Sequence, residues 1–168
     1  FKEYGVHIVV GKQGRGKSMT VAYLLREWQH KYPFLNVYTN MGYTKEVAPL
    51  RSLEELLTHE NNGIYGEVDV IDELQNVLDC QTFARNFPPE FLSIITQQRK
   101  VRRCIIGTTQ VFERLAKPIR EQTYYLYKPR TFFGCFTWVD VYDVSVGKDG
   151  YINDNDLIKV KSFCFVHD

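Results

Sequence analysis

Hydrophobic and polar positions change period several times along the chain, and each change marks an element. Residues 6–10 form a short apolar run that stops at Gly11, which predicts a buried strand. Val21, Leu24, Leu25, Trp28 and Tyr32 then recur at helical spacing until Pro33, whose ring cannot continue a helix. A second strand is predicted over 35–39. Ser52 and Glu55 are spaced as a capping box around Leu53, Leu56 and Leu57, which predicts a short helix closed by Asn61-Asn62-Gly63. Residues 68–72 read as the next strand. Pro88-Pro89-Glu90 suits a first helical turn, and Phe91, Leu92, Ile94 and Ile95 carry that helix to about Arg99. Strands over 104–108 and 123–127 follow, separated by a helical stretch around 111–116. Strands alternating with helices predict an α/β fold with a mostly parallel sheet between helices. Beyond about residue 131 the pattern becomes aromatic and β-branched over 136–146, with turn chemistry at Lys148-Asp149-Gly150, so antiparallel strands are expected at the C-terminal end.

Composition narrows this picture. A length of 168 residues suits a single domain, here a core over about 1–130 with the appended strands over 131–168. Hydrophobic residues at 44% and charged residues at 24% are the balance of a globular chain. The net charge of +1 excludes the bulk basic excess of a protein that coats nucleic acid, so any such contact must be local. No apolar run approaches the roughly 18 residues of a membrane span, and Phe1-Lys2-Glu3-Tyr4 is no signal peptide. Beginning without Met, the sequence reads either as a domain cut from a longer protein or as a soluble protein, with membrane contact expected only through a segment outside it. Cys80, Cys104, Cys135 and Cys164 are too scattered for a zinc ribbon or redox pair and are expected to be reduced thiols in a cytoplasmic protein, with Cys104 in the core.

The chemistry is concentrated at strand ends. Gly11, Lys12, Gln13, Gly14, Arg15, Gly16, Lys17 and Ser18 fit the phosphate-binding loop G-x-x-x-x-G-K-[ST], placed between a predicted strand and a predicted helix as that loop requires. These residues, with Met19 directly after them, are the candidate ATP-binding segment. Backbone amides and the helix dipole face the phosphates, Lys17 reaches the β- and γ-phosphates, and Ser18 holds Mg²⁺. Asp72, closing the strand over 68–72, is the second candidate magnesium ligand, and Glu73 beside it is a candidate general base for water. Gln110, after Thr108-Thr109 at the end of the following strand, is a candidate for touching the γ-phosphate or the attacking water. The basic run Arg99-Lys100-Val101-Arg102-Arg103 reads equally well as a solvated helix end. No Asn-Lys-x-Asp tetrapeptide for reading guanine is present, which leaves ATP as the default nucleotide.

These residues resemble the FtsK–HerA group of DNA-pumping ATPases, and within it the zonula occludens toxin-like assembly ATPases of filamentous phages. The resemblance spans roughly residues 5–130. It rests on the phosphate loop, on Val37-Tyr38-Thr39-Asn40, on Val70-Ile71-Asp72-Glu73, on Gln98-Arg99-Lys100 followed by Ile105-Ile106 and Thr109-Gln110, and on Ile119-Arg120. It implies a P-loop ATPase working as a homo-oligomeric, hexameric ring at phage DNA packaging or extrusion. Gln110 would then sense the γ-phosphate, and Arg99 would act on a neighbouring subunit's ATP. Single-stranded DNA and phage coat or assembly proteins are the implied partners, and the cytoplasmic face of the host inner membrane is the implied location. Relatives of this kind usually carry a membrane-spanning helix that this sequence lacks.

Three functions fit: a motor hydrolysing ATP, a nucleotide-dependent interaction module of a coat or membrane complex with little turnover, and a small-molecule kinase. Glu73 and Gln110 favour the motor, because a carboxylate that activates water suits hydrolysis.

Overall fold

The computed structural model describes residues 2–58, 65–77, 89–144 and 157–167. Asn61-Asn62-Gly63, Cys80, Pro88 and Lys148-Asp149-Gly150 lie outside the described residues, as does the side chain of Arg99.

One sheet of eight strands runs through the molecule. Its strands are β1 (Gly5–Val10), β2 (Asn36–Thr39), β3 (Ala48–Pro49), β4 (Glu67–Ile71), β5 (Arg103–Thr109), β6 (Thr123–Phe132), β7 (Phe136–Asp143) and β8 (Ile158–Val166). They lie in the order β3-β2-β4-β5-β1-β6-β7-β8. From β3 to β6 every pairing is parallel, and β6-β7 and β7-β8 are antiparallel, as the change of pattern in the sequence predicts. The strand β5 lies between β1 and β4, so the glycine loop after β1 and Asp72 after β4 are two strand spacings apart, roughly 10 Å.

Helix α1 (Lys17–Lys31) buries Val21, Leu24, Leu25 and Trp28 on one face of the sheet, against Val9, Val37, Val70, Ile106 and Val139. On the other face Phe91 and Ile95 of α4 (Pro89–Val101) join Ile8, Ile71, Ile105 and Leu126, together with Leu56 of α2 (Glu55–Thr58) and Leu74 of α3 (Leu74–Val77). Covered on both faces, β4 and β5 are buried along their whole length.

Several elements differ from the sequence pattern. Glu55 turns its carboxylate back to the Arg51 N–H at 2.7 Å, one residue before Ser52, so α2 begins at Glu55. The stretch around 111–116 divides into a 3₁₀ turn (Phe112–Arg114) and a separate helix α5 (Lys117–Glu121) with Pro118 in its first turn. Helix α4 continues to Val101, and Arg102, at φ 51, turns the chain straight into β5. Strand β6 is ten residues long, since one edge pairs with β1 and the other with β7. Within β1, His7 is fully buried: Nδ1 lies 3.0 Å from the Tyr127 hydroxyl, and burial pushes its pKa down to about 4.

The basic run also divides. Lys100 and Arg102 are exposed, whereas Arg103 starts β5 in the interior. Its guanidinium is 2.8 Å from Glu67 and 3.4 Å from Asp69, both on neighbouring β4, and donates to the Leu56 carbonyl at 2.9 Å. Arg103 is therefore no part of a solvated basic patch, because it is buried and paired with two carboxylates.

Candidate nucleotide site

Strand β1 ends at Val10, and the Gly11 N–H donates to the Thr109 carbonyl at 3.1 Å, which pins the start of the loop to β5. The loop turns through Gly14 at φ 75 and reaches Gly16 at φ 85, the N-cap of α1. Only glycine fits there without strain. A Cβ on Gly16 would also stand 2.5 Å from the Thr131 hydroxyl and 3.0 Å from that of Thr137. As N-cap, Gly16 supplies no side-chain acceptor, and the first turn of α1 carries no acidic residue. The opening amides of α1 are thus left to an external acceptor at the positive end of the helix dipole, an arrangement made for anions. Thr20 secures this turn from behind by donating its hydroxyl to the Gly16 carbonyl at 2.7 Å. The Lys17 ammonium folds across the loop to the Lys12 carbonyl at 3.4 Å.

Facing this turn, the end of β4 is held by two polar residues that sequence reasoning had not assigned to it. Asn40 brackets the Asp72 peptide, accepting from its N–H at 2.6 Å and donating to its carbonyl at 3.3 Å. The Thr108 hydroxyl donates to Asp72 Oδ1 at 2.5 Å and accepts from the Glu73 N–H at 2.9 Å. Glu73 itself has φ 53, in a region non-glycine residues seldom occupy, and such strain collects at functional positions. Its Oε2 accepts from Asn76 Nδ2 at 2.8 Å, which orients the carboxylate.

Together these elements enclose a cavity of about 250 Å³ lined by Gln13, Gly14, Gly16, Lys17, Ser18, Met19, Asp72 and Glu73. The remaining candidates lie elsewhere. Gly11, Lys12, Arg15 and Gln110 line a second groove, of about 520 Å³, that continues onto β6 and β7 along Lys128, Arg130, Asp140 and Tyr142. Gln110 is exposed, and the structure does not bring it to the wall that Glu73 occupies. The roles of Asn40 and Thr108 left only a faint trace in the sequence, a polar residue just at or past a strand's carboxyl end.

The oxygen donors fit a magnesium ion. Ser18 and Asp72 share the cavity, and among the described residues no cluster of three or more His, Cys, Asp or Glu side chains competes for a metal. Magnesium is commonly held by one or two protein oxygens, with phosphates and water completing its shell.

No family model and no curated protein sequence matches the chain. Solved structures do. The N-terminal domain of zonular occludens toxin from Neisseria meningitidis superimposes with a TM-score of 0.67 over 98% of this chain and 93% of that one, at 14% identity. The genome packaging NTPase B204 from Sulfolobus turreted icosahedral virus 2, in complex with ATP-gammaS, gives 0.66 over 100% and 98%, also at 14% identity. Its complex with AMPPCP gives 0.65 at 11% identity. The chain has the P-loop NTPase fold. At these identities the likeness is one of architecture, and it includes the antiparallel strands, because almost the whole of each chain is covered. Among the described residues no helix is long and apolar enough to cross a membrane.

Proposed function

We propose that this P-loop domain is an ATP-hydrolysing motor of phage assembly, DNA packaging or extrusion, working as a ring with sites between subunits. The observation that carries the reading is the convergence of Lys17, Ser18, Asp72 and Glu73 on one cavity, at an α1 N-terminus left uncapped for an anion. The fold shared with a packaging NTPase crystallised with ATP-gammaS supports it.

In this reading the α1 amides and Lys17 bind the β- and γ-phosphates. Ser18 and Asp72 hold Mg²⁺, which, when bound, supplies charge neutralisation at the phosphate oxygens. The Thr108 hydroxyl and the Asn40 clamp keep Asp72 aimed into the cavity. Glu73, oriented by Asn76, accepts a proton as the oxygen of a water bonds to the γ-phosphorus and the bond to the bridging oxygen breaks, releasing ADP and phosphate. Arg99 acts on the ATP of the adjacent subunit. Gln110, in the groove on the other side of the loop, is the γ-phosphate sensor of this reading.

Phosphate release and nucleotide affinity test this together. Lys17→Ala is expected to lose ATP binding with the fold intact. Glu73→Gln is expected to bind ATP but to turn it over at least 100-fold more slowly, the order of a general-base contribution. Undiminished turnover in Glu73→Gln would remove that residue from the reaction. ATP binding by the unaltered chain without phosphate release in any assembled state would instead favour a nucleotide-dependent interaction module.

A further inference from the structure

The last three strands have faces of opposite character. On one, Thr137, Val139 and Val141 are fully buried toward α1. On the other, cross-strand rows mix rings with cations: Lys128 pairs with Asp140, Arg130 with Trp138, and Phe132 with Phe136. This second face is open. Trp138 is 38% exposed and Phe132 46%, and the side chains of Arg130 and Lys159 are 55% and 49% exposed.

A single buried carboxylate organises that face. Asp140, 2% exposed, accepts from the Trp138 indole at 3.0 Å, from the Ser162 hydroxyl at 2.8 Å, from Lys159 at 2.5 Å and from Arg130. Its partners come from all three strands, so one aromatic plane and two cations are fixed in relation to each other while remaining accessible. The 520 Å³ groove beside them runs to the glycine loop, and among the described residues Lys12, Arg15, Lys128 and Arg130 line it with a single carboxylate, Asp140. In a chain of net charge +1 this is a local concentration of positive charge.

We propose that this face of β6–β8 binds single-stranded nucleic acid. Bases stack on Trp138 and Phe132, and phosphates follow Arg130, Lys159 and the groove toward Lys12 and Arg15. Stacking rings interleaved with cations on a sheet face suit unpaired bases on a charged backbone. A bilayer would favour a continuous apolar surface, whereas here the rings flank a concave, charged groove with a buried carboxylate at its centre. Because the groove's wall is the glycine loop itself, strand and nucleotide lie on two sides of one segment. Binding at this face requires no hydrolysis and stands apart from the turnover proposed above.

The test is anisotropy of a fluorescent oligothymidylate, with quenching of Trp138 emission as a second signal, at several salt concentrations. Trp138→Ala is expected to weaken binding roughly 5- to 100-fold, the range of one lost base stack, and Trp138→Phe to retain most of the affinity. Arg130→Gln should weaken binding and reduce the logarithmic salt slope by about 0.7, the value for one single-strand phosphate contact. The titrations are made without nucleotide, and Arg102→Ala on the exposed turn before β5 should bind the oligonucleotide as the unaltered chain does, which keeps this outcome separate from the fate of the nucleotide site. No binding at low salt, or unchanged affinity in both Trp138→Ala and Arg130→Gln, overturns the proposal. It is overturned equally if phosphatidylserine vesicles bind through Trp138 and Arg130 while the oligonucleotide does not.

Discussion

At the scale of single residues, the candidate site depends on polar groups held by partners, with Thr108 buried, Asp72 half-buried, and Asn40 and Glu73 exposed. Asp72 sits at a strand end with both its peptide and its carboxylate restrained, by Asn40 and Thr108, so the carboxylate proposed to hold magnesium would need little reorganisation to act. Arg103 is held in the same way at the opposite end of β4 and β5, where it pairs with Glu67 and Asp69 in the interior. Removing Arg103 leaves two buried carboxylates without this cation. Arg103→Ala is therefore expected to destabilise the fold by about 3–5 kcal/mol, read as a lower urea midpoint, whereas Arg102→Ala on the exposed turn should change it little. Adding Glu67→Gln and Asp69→Asn to Arg103→Ala should recover part of the loss, since the charges then no longer require a partner. Equal midpoints for Arg102→Ala and Arg103→Ala would contradict the buried cluster.

At the scale of elements, the glycine loop is supported from below by the β6-β7 hairpin. Gly16 packs on Thr131 and Thr137, and the Thr137 hydroxyl lies 2.7 Å from His167 Nε2, so the end of the chain buttresses its beginning. A side chain at Gly16 would meet both a forbidding φ and the hairpin. Gly16→Ala is expected to weaken nucleotide binding at least 10-fold, because an αL conformation costs an L-residue about 1–2 kcal/mol and the Thr131 contact adds to it. Adding Thr131→Ala removes the hydroxyl contact and leaves the φ strain, so isothermal titration should show partial rescue. Full affinity in Gly16→Ala alone would mean that the loop does not rest on the hairpin.

At the scale of the whole molecule, the proposed ring makes Arg99 the residue to test. Arg99 lies in the last turns of α4, which leads into β5 and away from its own glycine loop, and we assign it to a neighbour's γ-phosphate. An arginine supplied in this way accounts for roughly 10³–10⁵ in rate in P-loop enzymes. The separated chain is expected to hydrolyse ATP slowly. Arg99→Ala should lower turnover only at concentrations where copies associate. Mixing it with Lys17→Ala should restore activity, because intact arginines then meet intact glycine loops. Lys100 and Arg102 are the appropriate comparisons, being exposed, whereas Arg103 is not. Mixed samples no faster than the sum of their parts would reduce Arg99 to a helix-end cation.

What the sequence determined by itself was most of what has a local cause. The glycine loop, the alternation of strands and helices, Asp72-Glu73 at a strand's carboxyl end and the antiparallel strands toward the C-terminal end are each specified by residues next to one another. Periodicity and backbone preference act over a few residues, so they can be read in order along the chain. The tertiary structure decided what depends on which strands become neighbours. Placing β5 between β1 and β4 brings Thr108 to Asp72 across 36 residues and carries Gln110 to the far side of the loop. Parallel pairing of β2 with β4 brings Asn40 to the same aspartate across 32 residues. Arg103 read as one more charge in a basic run, and His7 lay within an apolar one. Both are buried with partners, at Glu67 and at Tyr127, that only the sheet order supplies. Burial of a polar side chain depends on a distant partner, and the partner is chosen by packing.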